Sequence, residues 1–129
     1  MKILLDTHIW LWFLLGNNKL SEELKSHISD PNNELWLSPI SIWETLMLIE
    51  KGRININGDA EQWLDSALQI LEVKEAILNN QIAILSRKIH LPHQDPADRF
   101  IVATAIYYDL ILATVDRNLV NSSEINTLS

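Results

Sequence analysis

Short apolar runs at residues 2–5, 34–37 and 111–114 alternate along this 129-residue chain with longer segments of helical periodicity. Strands joined through helices of ten or more residues have room to cross over and pair in parallel. The expected architecture is therefore α/β. It is one domain over residues 1–129, with a short, mostly parallel central sheet flanked by helices on both faces.

Local signals set the expected boundaries. The first helix, Thr7–Leu15, is broken by Gly16-Asn17-Asn18. Ser21, followed by Glu22 and Glu23, opens a second helix that Asp30-Pro31-Asn32-Asn33 closes. Ser38-Pro39 supplies an N-cap and a first-turn proline for a helix reaching Lys51 and stopping at Gly52. Asn57-Gly58-Asp59 turns into an amphipathic helix over Ala60–Ile70. A short strand is expected at 71–73, and helical periodicity over 75–88 runs through Ile77, Leu78, Ile82 and Leu85. Asp95-Pro96 starts a helix ending near 109, and a last edge strand is expected near 125–128.

Hydrophobic residues make up 47 % of the chain and charged residues 21 %, enough apolar side chains for a sizeable core and too few charges for disorder. With no cysteine, any metal must be held by oxygen or imidazole ligands. His90 and His93 are separated by a proline and lack a thiolate partner, a poor transition-metal pair. Asp6 and His8 interrupt the apolar start and no small-residue cleavage site follows, so the chain reads as a mature cytoplasmic protein without a membrane span. The net charge of −7 disfavours ordinary phosphate binding through a basic face. An acidic protein can still engage nucleic acid if its carboxylates hold divalent cations and a few basic residues lie near them.

Four acidic residues draw attention. Asp6 and Asp116 each lie just past an apolar strand, where an open parallel sheet binds its ligands, although aspartate also caps the helix or turn that follows a strand. Glu44 shares a helical face with Ile40, Met47 and Leu48, so an ion pair with Lys51 on the same face, a carboxylate snorkelling to solvent, or a metal ion must compensate it. Asp98 shares a face with Ile101, Val102 and Ala105, and could equally reach back to Asp95 in a capping box. If the four converge, Mg2+ or Mn2+ would neutralise them and activate water against a phosphodiester. Arg99 and Arg117 stand beside Asp98 and Asp116, as phosphate contacts or as solvated charges. Trp36 and Trp43 are expected in the core.

The segments LLDTHIWLW, SPISIWETLMLIEKGRI, LPHQDPADRFIVATA and ILATVD, spanning residues 4 to 116 in order, resemble PIN-domain ribonuclease toxins of the VapC-like kind. The resemblance implies a PIN-like fold and a Mg2+-dependent endoribonuclease, with Mn2+ a possible substitute. Asp6, Glu44, Asp98 and Asp116 match the acidic quartet, with Asp6 and Asp98 foremost as metal ligands. Thr7 and Thr114 match small hydroxyl positions that orient carboxylates or water. It further implies an RNA substrate, a cognate antitoxin and a homodimer. The apolar cover of Trp10, Trp12, Phe13 and Leu14 on the first helix agrees with such an interface, and equally with core packing. Gln94 stands where many relatives carry arginine, and the 116–119 stretch lacks an aromatic often found there. A catalytically silent PIN-like binding module is the alternative from another class. A magnesium-dependent phosphatase would need an Asp-x-Asp motif after the first strand, which Asp6-Thr7-His8 does not supply.

Overall fold

The structure, a computed structural model, describes residues 1–92 and 95–129, so His93 of the histidine pair and Gln94 lie outside the described residues. Five strands are found among the described residues: β1 (Lys2–Leu5), β2 (Glu34–Leu37), β3 (Lys74–Glu75), β4 (Ile111–Ala113) and β5 (Thr127–Leu128). They form one sheet in the order β3-β2-β1-β4-β5, with every neighbouring pair parallel. The helices are α1 (Thr7–Leu15), α2 (Glu22–Ser29), α3 (Pro39–Glu50), α4 (Ala60–Ile70), α5 (Asn80–Lys88), α6 (Pro96–Tyr108) and α7 (Arg117–Val120). None is long and apolar enough to cross a membrane.

Alternation along the strands divides the core between the two faces of the sheet. Ile3, Leu5, Leu35, Leu37 and Ala113 pack with Ile9, Trp10 and Leu11 of α1, Leu24 and Ile28 of α2, and Leu64 and Ala67 of α4. Leu4 and Leu112 face the other way and pack with Ile101, Val102 and Ala105 of α6. Leu4 sits in register between Trp36 of β2 and Leu112 of β4, so the central strand is covered on both faces, as parallel strands require.

Three elements differ from expectation. The short strand lies at 74–75 rather than 71–73, because Leu71 and Val73 serve as partly buried packing against the first core and the pairing residues are Lys74 and Glu75. On that edge Lys74 Nζ lies 3.1 Å from Glu34 Oε2. Helix α5 begins at Asn80, not 75: the Ala76 amide still bonds Leu37 O across the edge, and Asn79 caps the helix by accepting from the Ile82 amide at 2.9 Å. Helix α7 was not expected; Asp116 caps it by accepting from the Asn118 amide at 2.9 Å.

The chain moves outward from β1 through β2 to β3, then returns past β1 to add β4 and β5. The gap between β1 and β4 is therefore the point where strand order reverses, and a crevice opens at the carboxyl ends of such strands. Leu112 anchors this switch point at 0 % exposure. Leu112→Ala is expected to cost about 2–5 kcal/mol of unfolding free energy, measured by urea denaturation; a loss under about 1 kcal/mol would contradict this reading of the core.

Candidate active site

Asp6 follows β1 at the switch point. Its backbone amide bonds Ala113 O at 3.0 Å, extending the β1–β4 ladder by one residue. One carboxylate oxygen accepts from the Thr7 amide at 2.8 Å, and the other accepts from the Thr114 hydroxyl at 2.7 Å. Asp6 is thus the N-cap of α1 and a tether between the two central strand ends at once. Thr114, fully buried, also accepts from the Asp116 amide at 3.2 Å, which ties the turn after β4 to the same point.

Glu44 reaches this region from α3. The Thr7 hydroxyl lies 2.6 Å from Glu44 Oε1 and 2.9 Å from Ser41 Oγ. A hydroxyl carries one proton, so the shorter contact to the charged acceptor takes it and Ser41 donates to Thr7. Thr45 in turn donates to Ser41 O at 2.7 Å. The fully buried residues of α3 are Ser41 and Thr45, while Ile40, Met47 and Leu48 are half-buried. Small hydroxyl side chains occupy the tightest part of α3, and their hydrogen bonds fix Glu44. The alternative ion pair does not form: Lys51 is exposed at the C-cap of α3, and among the described residues no salt bridge joins it to Glu44.

Asp98 stands in the first turn of α6, half-buried, and Asp95 caps that helix by accepting from the Ala97 and Asp98 amides at 2.9 and 3.4 Å. Asp6, Glu44, Asp95, Asp98 and Asp116 line one cleft of about 310 Å3, together with His8, Trp12 and Val115. All four sequence-predicted acids therefore meet, and Asp95, expected as a cap alone, joins them. His8 and Trp12 were not singled out for the cleft. Their spacing of four on α1 was the available signal, since it puts both on one face of the helix that follows Asp6.

Electrostatics records the crowding. Burial pushes the Asp6 carboxyl above its ordinary value, against the hydrogen bonds from Thr114 and Thr7. Glu44 is also raised, first by burial and then by repulsion from Asp6 and Asp95, against the Thr7 hydrogen bond. Asp98 is pushed up to about 7, first by burial and then by the negative charges of Asp6, Asp95, Asp116 and Glu44.

Two expectations are corrected. Arg99 does not face the cleft: only 5 % exposed, its guanidinium donates to Ser86 O and Ile89 O, both at 2.8 Å, holding the end of α5 against α6. One residue along a helix is a rotation of about 100°, so the neighbour of a cleft residue points elsewhere. Arg117 is exposed beside Asp116 and stays available. Trp43 is not in the core: it is 52 % exposed, because α3 is apolar around most of its circumference and periodicity did not mark its outer face. On α1, Trp10 is fully buried and Trp12, Phe13 and Leu14 pack partly against the first core. Most of that helix's apolar surface is therefore accounted for within the chain. Arg99→Met should lower unfolding stability by about 2–3 kcal/mol in urea, since two buried carbonyls lose charged donors; unchanged stability would contradict the anchoring role.

Among the described residues, no three carboxylate or imidazole groups stand close enough to form a ready ligand set for one ion. The donor chemistry nevertheless fits a hard divalent cation. Five carboxylates line the cleft, no Lys or Arg is among its described lining, and three carboxyls are held above their ordinary values. Without a cation, the folded state keeps a proton on Asp98 that the unfolded chain releases near pH 3.8. That contribution to stability is complete below about pH 3.8 and is lost as pH rises through about 7. In chelator, the melting temperature should fall by roughly 5 °C between pH 5 and pH 8. Asp98→Asn should shrink the fall, and an equal fall in the variant would contradict the assignment.

Comparison with known proteins agrees with this fold. The PIN domain family model matches residues 3–124. Ribonuclease VapC22 of Mycobacterium tuberculosis is 32 % identical over 120 residues, covering 91 % of this chain and 88 % of that protein. The fold is similar to that in VapBC2 from Rickettsia felis bound to a promoter DNA fragment, with a TM-score of 0.70, 16 % identity, and coverage of 99 % and 98 % of the two chains. It is also similar to that in VapBC-1 from nontypeable Haemophilus influenzae, with a TM-score of 0.68, 22 % identity, and coverage of 100 % and 98 %.

Proposed function

The chain belongs to the PIN-domain family, and on that premise we propose that it is a divalent-metal-dependent endoribonuclease, the toxin of a toxin–antitoxin pair, acting through Asp6, Glu44, Asp98 and Asp116. The observation that carries the proposal is the convergence of these four side chains on one cleft at the strand switch point. The similarity to a protein named a ribonuclease supports the reaction class, and the similarity to VapBC structures supports an antitoxin partner.

In this reading the four carboxylates hold Mg2+ or Mn2+. When bound, the ion supplies charge neutralisation at the phosphodiester and lowers the pKa of water. The chain's own contribution is preorganisation. The Thr114 hydroxyl and the Thr7 amide hold the two oxygens of Asp6, and the Thr7 hydroxyl, backed by Ser41, holds Glu44. Arg117, exposed beside Asp116, meets a phosphate of the strand. Hydrolysis adds water across one P–O bond, leaving a phosphate on one fragment and a hydroxyl on the other. The protein works in the cytoplasm, where RNA and antitoxin are present, and as a homodimer.

Purified protein should cut structured RNA in Mg2+ or Mn2+ and stop in chelator. Asp98→Asn and Glu44→Gln should abolish cleavage while remaining folded, and Thr7→Val should slow it roughly 10- to 100-fold. Equal cleavage by wild type and Asp98→Asn would sink the site assignment. Inactivity of the wild type over a broad RNA panel would favour a silent binding module.

A further inference from the structure

Trp43 is the most exposed of the described Trp, Tyr and Phe side chains. Its neighbours on α3, Ile42 and Leu46, pack against the first core, whereas Trp43 is 52 % exposed. It forms one wall of a hollow of about 350 Å3, with Met47, Pro96 and Ala97 as apolar lining and Glu44 and Asp95 at the side. Glu44 and Asp95 also line the acidic cleft, so the hollow and the cleft share a wall.

We infer that Trp43 is a substrate-positioning residue, a stacking platform for a nucleobase next to the phosphate held in the acidic cleft. The inference rests on the ribonuclease reading for the identity of its ligand. Electrostatics favours it: the chain carries −7, the described lining of the cleft contains no Lys or Arg, and Arg99 is spent inside the fold. Phosphate attraction, the usual source of nucleic-acid affinity, is therefore left to the cleft's cation and to Arg117, and a contact independent of charge adds to it. Stacking on an indole is such a contact, and it tolerates any base because every base has a π-face. Single-stranded RNA offers unstacked bases for this purpose. The hollow is apolar along Met47 and Pro96 and adjoins the cleft, so one strand can occupy both.

Fluorescence anisotropy of labelled A6, C6 and U6 oligoribonucleotides tests this, with Ca2+ as the cation and the oligomers checked intact. Trp43→Ala should weaken binding of at least one hexamer roughly tenfold, the order expected for one lost stack. Trp43→Phe should restore most of the affinity, and abasic hexamers with the same phosphates should bind wild type and Trp43→Ala alike. Equal binding of wild type and Trp43→Ala, an equal loss for abasic hexamers, or no binding of any hexamer would overturn the inference. A change of mass in sedimentation on Trp43→Ala would overturn it too, by assigning the residue to a protein interface. Wild type that cuts RNA while Trp43→Ala binds normally defeats this inference alone. Wild type that binds through Trp43 yet cuts no RNA upholds the platform and defeats the nuclease reading.

Discussion

The hydrogen bond from the Thr114 hydroxyl to Asp6, 2.7 Å long across 108 residues of sequence, joins the ends of the two strands that meet at the switch point. A carboxylate at the end of a buried strand needs donors, and here the strand on its other side supplies one from a fully buried threonine. The same aspartate spends its second oxygen on the first amide of α1. The position of Asp6 is consequently set by the sheet and by a helix together. The remaining acids are brought to it by the elements that cross over from the sheet: Glu44 by α3 after β2, Asp98 by α6 before β4, and Asp116 by the turn after β4.

This arrangement costs local stability. Burial and mutual repulsion raise the carboxyls of Asp6, Glu44 and Asp98, which means that the folded state without a cation resists their ionisation. The two packed faces of the sheet, with Leu4 and Leu112 fully buried at the centre, supply the stability that tolerates the cluster. The Ser41–Thr7–Glu44 chain serves the same end, because hydroxyl donors favour a fixed carboxylate orientation without adding a charge to the site.

Much of this was legible in the sequence. The strand ends KILLD and ILATVD marked Asp6 and Asp116, since in a parallel sheet a polar residue after an apolar run falls at the ligand-binding edge. Capping and cleft roles, which looked like alternatives, coexist: Asp6, Asp95 and Asp116 each cap a helix and line the cleft. What sequence adjacency could not convey was direction. Arg99 follows Asp98 and Trp43 precedes Glu44, yet one step along a helix turned the guanidinium into the α5–α6 contact and the indole outward. The short strand at Lys74–Glu75 was missed because an edge strand of two exposed residues carries no apolar signal, while Leu71 and Val73 next to it do.

A divalent cation taken up by the acidic cleft, as proposed, would displace a proton from Asp98. Calorimetric titration of Mn2+ at about pH 6.5, in two buffers of different ionisation enthalpy, tests it directly. Saturable binding with release of a fraction of a proton, a release that disappears in Asp98→Asn, is the predicted result. Absence of binding, or binding with the same proton count in the variant, would contradict it.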